Sequence, residues 1–336
     1  MSRAQLTSTV EQNTGGAVSP YVAGKNKIIN GDFGIWQRGT SFSNPSGAYT
    51  ADRYQFAYAG SPTFTITQQA LTPGSISGYE APYCMQHACT VSGSSITDMY
   101  NKIENVQNFA GQTATISFWA KAVSGTPVLS ALITQNFGSG GSASVDTSGA
   151  SFTLTSSWVR YSATIAVPSI TGKTIGAGSY LLTNIRFTHS VATFQIWGLQ
   201  FETGSVATPF TTATGTLSGE LQACQRYYNR FTTTASYGFF GLGTATSTTG
   251  MGNTFYLPQM RVAPTSMDYA NVQYTADNAT TIVPSSFTLS SGTGSGNTSN
   301  TVAFVFGAVI GATAFRPYFL IANNNANAYI GFSAEL

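Results

Sequence analysis

The side chains best placed for chemistry in this sequence are aromatic rather than acidic. Trp119 falls in the alternating run 113–121, on the face that carries Thr113, Thr115 and Ser117, while Ala114, Ile116, Phe118 and Ala120 form the other face. Trp158 stands two residues before Arg160, and Tyr54, Phe56 and Tyr58 alternate with Gln55 and Ala57. Rings flanked by polar groups hold sugars, whose C–H faces stack on the ring while their hydroxyls hydrogen-bond at its rim. Trp119, Trp158, Arg160, Tyr54 and Tyr58 are therefore the candidate glycan-binding residues. The competing reading is packing, because a Trp beside an apolar strand face also fits under a loop or at a subunit contact.

Catalysis has no comparable signal. Glycoside hydrolysis needs two carboxyl groups on either side of the bond, and no spacing pairs any of the 12 acidic residues. His87 lies on the alternating series Tyr83, Met85, His87, Cys89, Val91 and reads as core. His189 ends the face of Ile185 and Phe187 and reads the same way. Gly172-Lys173-Thr174 lacks the glycine a phosphate loop requires five residues earlier, where Val167 stands. The chain is expected not to be an enzyme.

Strands must position these residues. Period-two alternation recurs at 54–58, 64–66, 83–91 and 113–120, and breakers separate the runs at 44–47, 72–74, 138–141 and 171–173. Many short strands without intervening helical pattern predict an all-β fold of two antiparallel β-sandwich domains. One short helix is expected at the joint between them. Leu217, Leu221, Cys224 and Tyr228 fall at i, i+4, i+7 and i+11, with Ser218 as N-cap, Glu220 in the first turn, and Arg226 and Arg230 near the end. So short a helix is not stable alone, so a sheet or a neighbouring chain is expected to cover that stripe.

The predicted organisation is an N-terminal arm over 1–25, a first β-domain over 26–210, a linker and helix over 211–231, and a C-terminal β-sandwich over 232–336. Residues 290–300 read as an exposed loop. The N-terminal stretch has no apolar segment of a signal peptide and no long apolar run occurs, so neither Sec-type export nor membrane insertion is expected. Cys84, Cys89 and Cys224 make no disulfide framework; odd spacing puts Cys84 and Cys89 on opposite strand faces, which predicts buried thiols in a reducing cytoplasm.

Charged residues make up only 8% of the chain and the net charge is +2. The surface must then consist of Ser, Thr, Asn, Gln and Gly, which suits an assembly or neutral polar ligands. The 14 basic residues are scattered, which argues against nucleic acid as a partner.

Three segments together resemble virion proteins of tailed bacteriophages. Residues 25–42 (KNKIINGDFGIWQRGTSF), and 103–106 with 111–121 (IENV, GQTATISFWAK), are similar to the carbohydrate-binding-module-like jelly rolls of phage tail fibre proteins. Residues 204–210 (GSVATPF) and the helix over 221–228 look like the link to a C-terminal β-domain ending in YIGFSAEL. The resemblance implies a structural or adsorption role, as a tail fibre or tail-tip subunit meeting a host-surface glycan. It also implies a homo-oligomer, with a trimer favoured, and an arm that docks on other virion proteins. Assembly would occur in the host cytoplasm and the final location would be the virion, tail rather than head. A head decoration protein of purely structural role and a polysaccharide depolymerase are the alternatives, because no repeat or heptad array supplies a fibre shaft. No cofactor is implied beyond one structural calcium ion, for which Asn30, Asp32 and Glu202 would be hard oxygen ligands.

Overall fold

Alternation becomes sheet wherever one strand face can be buried. In the computed structural model, residues 23–93, 96–188, 190–277, 280–289 and 300–336 are described. The chain divides into two compact units between Leu221 and Gln222. Residues 1–22 of the expected arm, residues 290–299 of the expected loop and His189 lie outside the described residues.

The first unit contains β1 (Ser41–Ser43), β2 (Tyr54–Tyr58), β3 (Thr63–Ala70), β4 (Tyr83–Val91), β5 (Ile96–Glu104), β6 (Thr113–Ser124), β7 (Val128–Asn136), β8 (Val145–Thr153), β9 (Val159–Ala166), β10 (Tyr180–Thr188) and β11 (Ala192–Thr203). They form a six-stranded sheet, β1-β3-β4-β11-β6-β9, and a five-stranded sheet, β2-β5-β10-β7-β8. Every pairing is antiparallel. One core joins the inner faces, with Met85, Ile116, Phe118, Ile196 and Phe201 from the larger sheet against Phe56, Met99, Ile133, Ile185 and Phe187 from the smaller. His87 is buried in it, stacked between Phe64 and Phe194 at centroid distances of 4.8 and 5.0 Å. Cys89 joins that core, whereas Cys84 faces outward into a second cluster, so the two thiols do lie on opposite faces. Burial pushes the Cys84 thiol up to about 12, which leaves it protonated and unreactive.

A bulge in β11 decides what the outer face of the larger sheet carries. Phe194 and Ile196 point into the core, but the register against β6 shifts between Trp197 and Gln200, at Gly198 with φ +68°. The extra residue reverses the phase, so Leu199 and Phe201 point inward and Gln200 and Glu202 point out. Without it, two polar side chains would be driven into the core.

The second unit holds β12 (Tyr228–Thr232), β13 (Phe239–Ala245), β14 (Gly250–Tyr256), β15 (Ser266–Ala270), β16 (Val272–Thr275), β17 (Thr281–Ile282), β18 (Ser286–Leu289), β19 (Val302–Ala308), β20 (Pro317–Ala322) and β21 (Tyr329–Ser333). A three-stranded sheet, β12-β21-β15, and a seven-stranded sheet, β17-β16-β20-β13-β14-β19-β18, enclose a core that includes Met251, Phe255, Tyr274, Val305, Leu320 and Phe332. The fold is thus all-β, two antiparallel, jelly-roll-like sandwiches joined by a short helix. Among the described residues no helix is long and apolar enough to cross a membrane.

The joint helix α1 spans Leu217–Gln225 and corrects several expectations. Its N-cap is Thr216, whose hydroxyl accepts the Gly219 N–H at 3.0 Å, not Ser218. Tyr228 is not on it: the chain turns after Gln225 and Tyr228 enters β12, where its hydroxyl donates to Asp268. Arg226 and Arg230 also fall beyond its end. Leu217 and Leu221 are exposed and only Cys224 of the expected stripe is buried on the helix, so the stripe does not form one covered seam. The buried positions are Glu220 and Cys224. The Glu220 carboxylate accepts the Asn30 N–H at 2.8 Å, and the Thr214 N–H and hydroxyl at 2.6 and 2.9 Å, so the helix start is tied to the first unit's opening turn.

Candidate functional site

Trp119 does project from the outer face of the larger sheet, but its own chain covers it. After β11, residues 204–216 run back across that face. Thr115 and Thr164 hydroxyls donate to the carbonyls of Gly204 and Ser205. Glu202 accepts the Thr208 N–H and hydroxyl at 2.9 and 2.6 Å and the Gln200 amide at 2.6 Å. Phe210, its N–H bonded to the Tyr79 hydroxyl at 2.7 Å, packs its ring 4.8 Å from Trp197 and 6.4 Å from Trp119. Trp119 is therefore 8% exposed, in a cluster with Ile76, Cys84, Trp197 and Phe210.

The other sequence candidates are likewise engaged. Arg160 lies over the Trp119 ring at 4.5 Å and donates to Ser117 and to the Thr208 carbonyl; burial lowers its pKa. Trp158 packs half-buried against the same cluster. Tyr54 is fully buried in the core, and Tyr58 packs on it, edge-on to Phe64. The structure withdraws Trp119 and Tyr54 as open stacking platforms. The physical reasons differ: a strap from residues distant in sequence covers Trp119, and the inward phase of β2 buries Tyr54.

The calcium ligand set does not fit either. Asn30 spends its amide on the Ile35 and Asp52 carbonyls and its oxygen on the Ile35 N–H. Glu202 is the latch for the strap and forms an ion pair with Lys25 at 3.7 Å. Asp32 stands apart from Glu202's bonds, and burial followed by the charge of Glu220 raises its pKa. Among the described residues no group of three or more His, Cys, Asp or Glu could hold a metal.

A wider open concavity than the one of about 140 Å³ beside Trp197 and Phe210 lies on the other sheet. The outer face of β5 carries Asp98, Tyr100, Lys102 and Glu104, opposite Thr97, Met99, Asn101 and Ile103. Antiparallel register sets these beside β10: Asp98 faces Arg186, Tyr100 faces Asn184, Lys102 faces Leu182, Glu104 faces Tyr180. On the far side of β10, Leu132 pairs with Asn184 and Thr134 with Leu182, and Gln55 flanks Tyr100 from β2. The groove so formed encloses about 450 Å³ and is lined by Gln55, Tyr100, Lys102, Thr134, Tyr180 and Asn184, among others.

Its side chains are held by one another. Arg186 grips Asp98 through both oxygens at 2.7 and 3.0 Å, and the Tyr100 hydroxyl donates to Asp98 at 3.0 Å. Such bidentate pairing fixes geometry as well as charge. Burial first, then Asp98, pushes the Tyr100 phenol well above its ordinary range, so it stays a donor. Lys102 stands 5.1 Å over the Tyr180 ring, and Thr134 donates to Asp146 at 2.6 Å. On the floor, Asn184 is 3% exposed, and its buried Oδ1 has no hydrogen-bond partner among the described residues. Tyr100 and Tyr180 lie four register steps apart, about 13 Å along the sheet.

Sequence reasoning missed Tyr100, Lys102, Tyr180, Asn184 and the Asp98–Arg186 pair. The signal was present in part: β5 alternates charged or aromatic residues with buried ones. What makes them a site is the register between β5, β10 and β7, which no local pattern gives.

Fold and groove together define an all-β protein whose first sandwich carries an open polar and aromatic groove on one sheet. No family model and no curated protein matches the sequence. Among solved structures, the chain is similar in part to the enzymatically active domain of tailspike protein 4 of bacteriophage CBA120, at 17% identity and a TM-score of 0.35, over 56% of this chain and 22% of that one. It is also similar to TmCBM61 in complex with β-1,4-galactotriose, at 11% identity and TM-score 0.31, over 53% and 99%. A third is the CBM22-1 xylan-binding domain of Paenibacillus barcinonensis Xyn10C, at 15% identity and TM-score 0.32, over 55% and 100%. The fold is assigned from the chain's own strand pairing and core, not from these likenesses.

Proposed function

We propose that the first sandwich binds a neutral polysaccharide along the groove of its five-stranded sheet, and that the protein serves in a phage virion as a tail fibre or tail-tip subunit for host adsorption. The observation that carries the glycan reading is the groove itself, about 450 Å³ and lined by Tyr100, Lys102, Tyr180 and Asn184 among others, with Asn184 beside Tyr100 and Tyr180 four residues away on β10. Rings for C–H stacking beside fixed amide, hydroxyl and ammonium groups are what a hydroxyl-rich chain requires. The internal Asp98–Arg186 pair cancels charge within the groove, which favours a neutral ligand over an anionic one. Binding is proposed to be non-catalytic: Asp98 and Asp146 are engaged by Arg186, Tyr100 and Thr134. The virion assignment rests on the sequence resemblance of residues 25–42, of 103–106 with 111–121, and of 204–210 with the helix over 221–228.

An array of neutral bacterial-surface and plant polysaccharides tests the glycan reading. The full chain is expected to retain at least one polysaccharide and to release no reducing ends from it. No binding across the array, or reducing-end release, would count against it. Labelled-antibody microscopy of virions tests the location; label on heads would favour the decoration reading.

A further inference from the structure

In the second unit, the seven-stranded sheet contains no charged residue in any of its strands. Its inner face meets the core. Its outer face is aromatic: Leu242 pairs with Phe319, Thr254 with Phe304 and Tyr256 with Val302, all pointing away from the core side chains Tyr318, Asn253 and Val305. Phe239 adds its ring 5.3 Å from Phe319. Phe304 and Phe306 lie flat over the neighbouring strand because Gly252 and Gly250 leave room. A Cβ there would stand 2.8 Å from the Phe304 ring and 2.3 Å from the Phe306 ring. The glycines thus flatten the face over β14 and β19, while beside Phe239 and Ile321 it dips into a concavity of about 320 Å³.

These side chains are left open: Tyr256 is 80% exposed, Phe239 64%, Leu242 58%, Phe319 44%, and Phe304 and Phe306 37% each. At about 200 Å² for a large side chain, that is roughly 600 Å² of apolar surface. This is at the upper limit for the largest patch of a monomer, and close to the ~800 Å² each partner gives a stable interface.

We infer that this outer face is an assembly surface for a second copy of this chain. A face without charge meets its own copy without burying or opposing any charge. It offers a charged partner nothing to pair with; the polar groups on the same face, among them Thr244, Thr254, Thr288, Gln273 and Thr275, are uncharged, and Gln273 and Thr275 are buried. The Arg316–Asp277 pair, at 4.0 Å and half exposed, supplies charge at the edge beside β20 and β16. The inference is independent of the groove, which belongs to the other unit.

Sedimentation velocity of the full chain from nanomolar to micromolar concentration tests it. The wild type is expected to associate. Phe319→Lys and Tyr256→Lys are each expected to weaken association at least a hundredfold, with melting temperature and polysaccharide binding per chain unchanged, since both side chains are on the surface. Leu242→Gln serves as a milder variant should a lysine disturb folding. A wild type that stays monomeric at micromolar concentration overturns the inference, as does association undiminished in these variants. So would a monomer whose Phe319→Lys variant loses polysaccharide binding, which would assign the face to a ligand instead.

Discussion

Phe210→Ala tests whether residues 204–216 are a packed cover or a loose linker. Phe210 is buried between Trp197, Trp119 and Tyr79, at 4.8, 6.4 and 6.1 Å between ring centroids. Removing a buried Phe costs about 3–5 kcal/mol, the low end applying where surroundings relax. A surface strap relaxes more readily than a core strand, so about 3 kcal/mol is expected from that range. In a unit of this size each kcal/mol moves the melting temperature by about 2–4 °C, which gives a fall of roughly 6–12 °C. Tryptophan emission should shift to the red in the native state, because Trp119 and Trp197 gain water. Polysaccharide binding should persist below the melting point, since the groove is on the opposite sheet. Unchanged emission with a melting temperature within about 1 °C of wild type would refute the packing described for the strap. Red-shifted emission with lost glycan binding would instead return the site to Trp119.

Two further perturbations probe the framework. Burial and Glu220 raise the Asp32 pKa, so the stability carried by its protonated form is full below the ordinary carboxylate value and is lost as pH rises through the raised one. Asp32→Asn should therefore melt higher than wild type at pH 7 and converge with it in acid; a lower melting temperature at pH 7 would contradict this. Gly198→Ala places a Cβ at φ +68°, 2.8 Å from the Trp119 ring. The backbone alone costs about 1–2 kcal/mol there, and the urea midpoint should fall accordingly; an unchanged midpoint would show that the bulge is not formed.

What the sequence made legible was local. The alternation in 54–58 and 83–91 coincides with β2 and β4, and each breaker cluster falls between strands, because period and turn chemistry are written in neighbouring residues. Trp119 was correctly placed on the outward phase of β6, yet its cover comes from Phe210, ninety-one positions later in the numbering. The groove needed the register of β5 on β10, again a distant pairing. Tyr228 kept helical period with Cys224, but the tertiary demand of pairing with β21 overrode it. Glu220 fits a helix first turn from sequence; that it fastens Asn30 is visible only in the fold.

The most direct test of the central claim is titration calorimetry with a polysaccharide retained on the array, comparing wild type with the Tyr100→Ala, Tyr180→Ala double variant. Each stacked ring is worth about 0.5–1.5 kcal/mol beyond its buried area, so the pair predicts a loss of about tenfold or more in affinity, with the folded state intact by thermal melting. Wild-type affinity in the double variant would place the glycan elsewhere and contradict the assignment of this groove.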